Sequence, residues 1–326
     1  MSKQKVIICH DLNENLRSAI ASCPHDKLFI LVDEHTRQLC LPLIADMECM
    51  QQAYVITIGA EDIHKNLETL AYVWKELGDH GATRHSLMIN LGGGMVTDLG
   101  GFAASTFKRG IPYINIPTTL LAMVDASVGG KTGINFNGLK NEIGVFSPAE
   151  YVLLDTEFLK TLDTRNLLSG YAEMLKHGII STEAHWAELL KFDIDRIDYE
   201  ELKRLVAQSV QIKEDIVEQD PYEKGIRKAL NVGHTVGHAF ESLALELNQH
   251  VLHGYAVAWG IVCELYHSYL KVGFPKDKLR QTVQFIKENY GVFAIDCKQY
   301  DRLYEFMTHD KKNSAGIINF TLMGEI

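Results

Sequence analysis

The sequence predicts an α/β N-terminal domain with a Rossmann-like parallel sheet, followed by a mostly α-helical C-terminal domain. In the first half of the chain, short β-rich apolar runs alternate with amphipathic stretches. This alternation is typical of a parallel sheet covered by helices on both faces. From about residue 161 onward, long helical patterns dominate. A chain of 326 residues fits about two domains of ~150 residues, and we place them at 1–160 and 161–326.

Each predicted element rests on a local pattern. The strands of the first domain are predicted at 5–9, 27–33, 53–58, 85–91, 113–116 and 151–154. Between them, apolar residues such as Leu67, Leu70, Ala71 and Trp74 recur at helical spacing. Helices of the second domain are predicted at 166–179, 199–217, 228–247, 257–271 and 276–290, with one last strand at 317–323. The sequence stops soon after that strand, which leaves a missing terminal segment as an open alternative.

Composition narrows the class of protein. With 32 basic and 42 acidic residues the formal charge is −10, which argues against nonspecific nucleic-acid binding. The six cysteines show no C-x-x-C spacing, which favours free thiols in a reducing compartment. The longest apolar run, 254–263, is far shorter than the ~20 residues of a membrane span. We therefore expect a cytoplasmic protein that binds neither membrane nor nucleic acid.

A glycine-rich stretch predicts an anion site in the first domain. Gly92, Gly93 and Gly94 follow the apolar run 87–91, and a helical pattern follows them. Exposed backbone N–H groups at such a helix start favour a phosphate. A second Gly-Gly-Lys turn brings Lys131 and Lys140 close in sequence, beside Asp98 and Asp125. We interpret this stretch as a nucleotide and anionic-substrate site, although Asp98 could instead complement the dipole of the following helix from its first turn.

Asp33 has two possible roles. It ends the second predicted strand, where nucleotide-binding folds place the acid that binds a ribose hydroxyl. It could equally be an acid at the start of the next helix. The full G-x-G-x-x-G pattern is absent, so the glycines alone are weak evidence for a dinucleotide.

Two clusters in the second domain could carry chemistry. Glu173, Lys176 and His177 share one helix face, for which a solvated surface is the common explanation. A second group lies on one face of a single predicted helix and consists of Asn231, His234, His238 and Glu241. Gly233 and Gly237 lie between these residues, and His253 follows shortly after the helix. Three imidazoles and a carboxylate favour an open metal site over core histidines. Spacing alone would pair His234 with His238.

These stretches together resemble the 3-dehydroquinate synthase family. The matching blocks run in order from about residue 89 to 260: G-G-G-M-V-T-D, K-R-G-I-P, I-P-T-T-L-L-A-M-V-D-A-S-V-G-G-K-T-G, L-K-N-E-I-G, G-Y-A-E-M-L-K-H-G, L-N-V-G-H-T-V-G-H-A-F-E and L-H-G-Y-A-V-A-W-G. The resemblance implies an NAD- and zinc- or cobalt-dependent lyase of the shikimate pathway. It would convert 3-deoxy-D-arabino-heptulosonate 7-phosphate to 3-dehydroquinate and phosphate.

The resemblance also implies roles for individual residues. Metal ligands would be Glu173, His234 and His253, so His238 would face substrate. Catalytic residues would be Lys176, His238, Glu223 and Asp125. NAD would contact Asp33, Asp62, Lys65, Gly93, Gly94, Asp98, Thr118, Thr119, Lys131, Lys140, Asn141, Thr161 and Leu162. Substrate would contact Arg109, Lys131, Asn141, Lys213, Arg227, Asn231, His238 and one or both of Lys311 and Lys312.

Several alternatives stay open. The pair Glu61 and His64 rivals Asp62 and Lys65. Lys213 and Arg227, separated by a turn at Pro221 and Gly225, could bind a substrate carboxylate or could be solvated surface charges. Arg109 would reach a partner subunit, which implies a homodimer. Another sugar-phosphate cyclase or a metal-dependent polyol dehydrogenase are the rival functions.

Overall fold

The computed structural model describes residues 4–308 and 317–326 of a chain that divides into two units, Met1–Leu162 and Asp163–Ile326. The strands of the first unit are β1 (Lys5–Ile8), β2 (Leu28–Asp33), β3 (Tyr54–Ile58), β4 (Leu87–Gly92), β5 (Tyr113–Pro117), β6 (Lys131–Phe136), β7 (Leu139–Phe146) and β8 (Tyr151–Leu154). Its helices are α1 (Leu12–Ser22), α2 (Glu34–Leu39), α3 (Pro42–Ala45), α4 (Leu67–Asp79) and α5 (Gly94–Thr106).

Six of these strands form one parallel sheet in the order β1-β8-β5-β4-β2-β3. The six predicted strands coincide with them to within two residues at each end, and the predicted fold class is confirmed. Every residue of β2 and β4 is buried. Continuous apolar runs of this kind are expected where helices cover both faces of a parallel sheet.

The order of the strands contains a topological switch point. From β2 the chain moves to β3 on one side, and it then returns to form β4 on the other side of β2. In open α/β sheets, ligands bind beyond the carboxyl ends of the strands at such a point. Asp33 ends β2, and the three glycines lie at the end of β4.

A second, two-stranded sheet was not predicted. Strands β6 and β7 pair as an antiparallel hairpin, with Phe136 opposite Leu139. The two connecting residues, Asn137 and Gly138, have φ values of 50° and 77°. Positive φ at both central positions is the type I′ geometry that Asn-Gly favours. The dipeptide was therefore an available signal for this hairpin.

The regular secondary structure in the described part of the second unit is helical, apart from an isolated bridge at Ile317. Its helices are α6 (Thr164–Ile179), α7 (Glu183–Lys191), α8 (Tyr199–Gln219), α9 (His234–Glu246), α10 (His253–Val272), α11 (Lys276–Tyr290) and α12 (Tyr300–Thr308). Among the described residues, no helix has both the length and the hydropathy that crossing a membrane requires. All six cysteines are free thiols, as predicted.

Two predicted elements of this unit are wrong. The single helix expected over 228–247 is a 3₁₀ segment, Ile226–Asn231, followed by α9. Gly233, with φ of 81°, separates them, because a left-handed residue interrupts a right-handed helix. The strand expected over 317–323 is also absent from the described part of the chain, where only Ile317 forms an isolated bridge. Phe320 packs on His267 of α10 instead.

Candidate active site

Several predicted NAD residues of the first unit lie at the carboxyl ends of β2, β4 and β5, near the switch point. Gly93 is the N-cap of α5, and no side chain caps that helix start. A Cβ on Gly93 would lie 3.1 Å from Thr119 Cγ2, and one on Gly94 would lie 3.1 Å from Ala126. Thr118 and Thr119 follow the next strand, β5, and the Thr118 N–H donates to the Gly92 carbonyl. The result is an uncapped helix N-terminus that anions favour.

Asp33 caps a helix. Its Oδ1 accepts the Thr36 backbone N–H at 2.7 Å, and the Thr36 hydroxyl accepts the Asp33 N–H at 3.0 Å. This reciprocal capping box matches the second of the two roles considered for Asp33. The ribose contact remains a prediction for the same side chain, which is 9% exposed at the end of β2.

Lys65, Asp98 and Asn141 meet in one hydrogen-bonded cluster. The Lys65 ammonium donates to Asp98 Oδ2 and to Asn141 Oδ1, at 2.5 Å in each case. Lys65 is buried, and the Asp98 side chain is 18% exposed. Asp98 lies in the second turn of α5, so the alternative of dipole complementation from the first turn is wrong. Three residues far apart in sequence thus share one charged network.

Asp62 contacts residues of the β6–β7 hairpin. Its Oδ2 accepts from Asn135 Nδ2 at 3.0 Å and lies 4.0 Å from the Lys140 ammonium. Glu61 and His64, the rival pair, are both exposed, as is Asp62, so exposure does not separate the two pairs. Because Asp62 and Lys65 both contact other predicted NAD residues, the geometry favours them as the cofactor pair.

The remaining predicted residues of this unit lie on other elements. Asp125 is on a π-helical turn, Ala122–Ala126, a deformation frequent at functional sites. Lys131 begins β6 and is exposed. Thr161 and Leu162 end a 3₁₀ segment, where the Thr161 hydroxyl donates to the Phe158 carbonyl at 2.7 Å. Arg109 is exposed, with a left-handed φ of 70°.

The helix face of Glu173, Lys176 and His177 in the second unit is buried. Their exposed fractions are 0%, 1% and 0%, so the solvated-surface explanation is wrong. The Lys176 ammonium donates to Glu173 Oε2. Burial alone would raise the pKa of Glu173, but Lys176 and then His234 outweigh it and hold that pKa well below its usual range. Glu173 is therefore an ionised carboxylate inside the protein.

Two imidazoles converge on the other oxygen of this carboxylate. Nε2 of His234 and Nε2 of His253 each lie 3.4 Å from Glu173 Oε1. Oε1 is buried and makes no well-directed hydrogen bond within the described residues. One ligand atom from each of the three side chains lies within 4.8 Å of the others. Two histidine nitrogens and one carboxylate oxygen are a donor set suited to catalytic zinc, with positions left for substrate.

The outer nitrogens of both rings are fixed by hydrogen-bond acceptors. His253 Nδ1 lies 3.1 Å from Glu241 Oε2, and His234 Nδ1 lies 3.2 Å from the Val232 carbonyl. A proton on each Nδ1 leaves the Nε2 lone pair directed at the site, the usual arrangement of metal-bound histidine. Burial would lower the pKa of His253, but Glu241 and Glu173 raise it to about 10. The field that holds this proton would also attract a divalent cation.

His238 belongs to a neighbouring group. It can form a set of possible ligands with Glu241 and His253. Its ring centroid lies 5.4 Å from that of His234 and 6.1 Å from that of His253. Spacing along α9 alone would have missed Glu173, which lies on a different helix.

The segment between α8 and α9 carries Glu223, Arg227 and Asn231, whereas Lys213 lies on α8. The Asp220 carboxylate accepts the backbone N–H groups of Lys224, Gly225 and Arg227 at 2.9, 2.6 and 3.1 Å. The Arg227 guanidinium donates to the Pro221 carbonyl at 2.7 Å, and Asn231 Nδ2 donates to Glu223 Oε1 at 2.8 Å.

Lys213 and Arg227 are buried, at 5% and 2% exposed, so the solvated-charge explanation for this pair is wrong. Sequence reasoning missed the organising role of Asp220, which the turn signals Pro221 and Gly225 could have indicated. It grouped Glu241 with the possible metal ligands, and the structure places Glu241 against the outer nitrogen of His253. Lys311 and Lys312 lie outside the described residues.

Comparison with known proteins identifies the family. Residues 55–169 match the model of the 3-dehydroquinate synthase N-terminal region, and residues 170–313 match that of the C-terminal region. A 3-dehydroquinate synthase of Parabacteroides distasonis is 57% identical over 326 residues, which cover 100% of this chain and 92% of that protein.

Solved structures show the same fold. A 2-epi-5-epi-valiolone synthase from Streptomyces hygroscopicus, solved with NAD+ and Zn2+, aligns with a TM-score of 0.84 at 24% identity, covering 100% of this chain and 94% of that one. A 2-deoxy-scyllo-inosose synthase complexed with carbaglucose-6-phosphate, NAD+ and Co2+ aligns with a TM-score of 0.82 at 22% identity, covering 95% and 86%. With both halves matched by the family models and a close relative along its whole length, the chain belongs to the 3-dehydroquinate synthase family.

Proposed function

We propose that this chain is a carbon–oxygen lyase that converts 3-deoxy-D-arabino-heptulosonate 7-phosphate to 3-dehydroquinate and phosphate. The observation that carries the proposal is the convergence of Glu173, His234 and His253 in a chain of this family. Their two imidazole nitrogens and one carboxylate oxygen suit zinc or cobalt. Asp33, the Gly93–Gly94 helix start and the Lys65 network would hold NAD. When bound, NAD would take up and return a hydride, and the metal would polarise substrate hydroxyls.

The chain's own residues bind and orient a substrate with two anionic groups. Arg227 and Lys213 are buried cations, and a guanidinium can grip a carboxylate in a two-pronged manner. Lys131 would contribute a further positive charge for phosphate. A phosphorylated sugar with no carboxylate would not need the Arg227 and Lys213 pair. This distinguishes the proposal from the other sugar-phosphate cyclases.

Other side chains hold or move protons. Lys176 keeps Glu173 ionised by donating to its Oε2, which leaves Oε1 for a cation. His238 offers an imidazole beside the ligand group, suited to passing a proton to or from substrate. Glu223 is held by Asn231 in the same unit, and Asp125 would act as a further carboxylate toward substrate.

The test is phosphate release from the heptulosonate phosphate, with and without a chelator. We expect phosphate release that stops on chelation and resumes when zinc or cobalt is added. NADH absorbance should not accumulate, because the hydride returns in each turnover. Net NADH formation with glycerol would favour a polyol dehydrogenase, and turnover of sedoheptulose or glucose phosphate alone would favour another cyclase.

We also propose a cytoplasmic homodimer in which Arg109 acts on the partner subunit's substrate. The exposed position of Arg109 in a left-handed turn supports this. Sedimentation of the purified chain should give twice the monomer mass. In mixed dimers of Arg109→Ala with a variant that is inactive through a change in its own active site, only one of the two active sites should recover activity.

A further inference from the structure

Helix α9 begins without a cap from its own sequence. The first N–H groups of any helix lack partners within the helix. A serine, threonine or aspartate at the N-cap usually accepts one of them. Here the N-cap residue is Gly233, which has no side chain to do so. The residue that follows it, His234, is a predicted metal ligand.

Glu264, on the neighbouring helix α10, supplies acceptors for two N–H groups at the start of α9. Its Oε2 accepts the Gly233 N–H at 2.8 Å, and its Oε1 accepts the Val236 N–H at 3.1 Å. These are the two N–H groups that the two residues of a capping box serve. Here one carboxylate, only 1% exposed, serves both. The partial positive charge of the helix start stabilises its ionised form.

The backbones of α9 and α10 approach closely where Glu264 reaches across. A Cβ on Gly260 would lie 2.0 Å from the Gly233 carbonyl oxygen and 2.7 Å from the Gly237 nitrogen. Helix α10 begins with the ligand His253 and carries Glu264 three turns later. One helix therefore provides one ligand directly and fixes the backbone on both sides of another.

We propose that Glu264 is a positioning residue of the metal site, which holds His234 in place by capping α9 from α10. This inference rests on the metal site of the proposed function. Residues that orient metal ligands typically alter metal affinity by ~10–100-fold when they are replaced.

The experiment compares zinc affinity in two variants. Glu264→Gln keeps the shape, but an amide can accept only one of the two N–H groups and turns its own N–H toward the other. Apo-protein would be titrated with zinc against a chromophoric chelator, and the cobalt form would be examined by its visible absorption. We expect a ~10–100-fold higher zinc Kd and an altered cobalt spectrum.

The matched control is Thr182→Ala. Thr182 caps α7, where it accepts the His185 N–H at 3.2 Å, and α7 carries no predicted site residue. This variant should lose urea stability while its zinc Kd stays within twofold of wild type.

Each outcome decides the proposal. If Glu264→Gln folds only with zinc, the zinc concentration at half-folding measures the same weakened affinity and supports it. A zinc Kd within twofold of wild type would overturn it, and so would a variant that stays unfolded at any zinc concentration. If His234→Ala binds zinc as tightly as wild type, the metal site itself is wrong, and the inference fails with it.

Discussion

Replacing Arg227 with lysine tests how the substrate is recognised. Arg227 is 2% exposed, and its guanidinium donates to the Pro221 carbonyl. Lysine keeps the positive charge but loses the planar fork that binds a carboxylate through two parallel hydrogen bonds. Because the position is buried, water cannot readily replace the lost bond. A hydrogen bond to a charged group contributes about 1.5–3 kcal/mol, so kcat/KM should fall by ~10–100-fold.

The assay is steady-state phosphate release from the heptulosonate phosphate. Arg204→Lys is the matched control, because Arg204 lies on the exposed surface of α8, where it pairs with Glu188. This substitution should change kcat/KM by less than twofold. Zinc content and urea midpoint of Arg227→Lys should stay near wild type, which separates recognition from folding. Kinetics within twofold of wild type would refute the carboxylate role of Arg227 and reopen the choice of substrate.

Three further predictions address the metal, the cofactor and the buried ion pair. His253→Ala should lose stoichiometric zinc and all turnover, whereas His238→Ala should retain zinc by metal analysis and lose at least ~10²-fold in rate; the reverse pattern would contradict the ligand assignment. Calorimetry should show much weaker binding of NADP than of NAD, because Asp33 repels a 2′-phosphate, and equal affinities would count against that role. Asp98→Ala leaves Lys65 buried with one charge partner fewer, so urea unfolding should show a loss of about 3 kcal/mol together with weaker NAD binding; an unchanged midpoint would show that the pair is not needed.

The parallel sheet was predictable because its strands are short apolar runs and because helices lie between successive strands from β1 to β5. The hairpin β6–β7 was not predicted, because the glycines and charges of this stretch were interpreted as an anion site. Asn137-Gly138 is nevertheless a strong hairpin signal. The break before α9 was missed because apolar spacing continues across Gly233. The strand predicted at 317–323 failed because a short apolar run fits either a strand or a segment packed on helices.

The candidate site was predictable in its residue types and not in its contacts. Spacing shows which side chains share a helix face, and it placed Glu173, Lys176 and His177 together. It cannot show that this face is buried, nor that Lys65 reaches Asp98 across 33 residues. Those facts depend on tertiary packing, which has no local signal in the sequence.

The candidate metal cluster of Glu173, His234 and His253 illustrates why such contacts escape sequence reasoning. Its three side chains come from α6, α9 and α10, and the backbone of α10 closely approaches those of α6 and α9. A Cβ on Gly254 would lie 1.9 Å from the Ser169 carbonyl oxygen, and the Gly254 N–H donates to the Ser169 hydroxyl. Glycine is therefore required beside His253 in order to bring α10 against the helix that carries Glu173. The glycines beside the histidines are visible in the sequence, but only the fold shows that each one makes room for another helix.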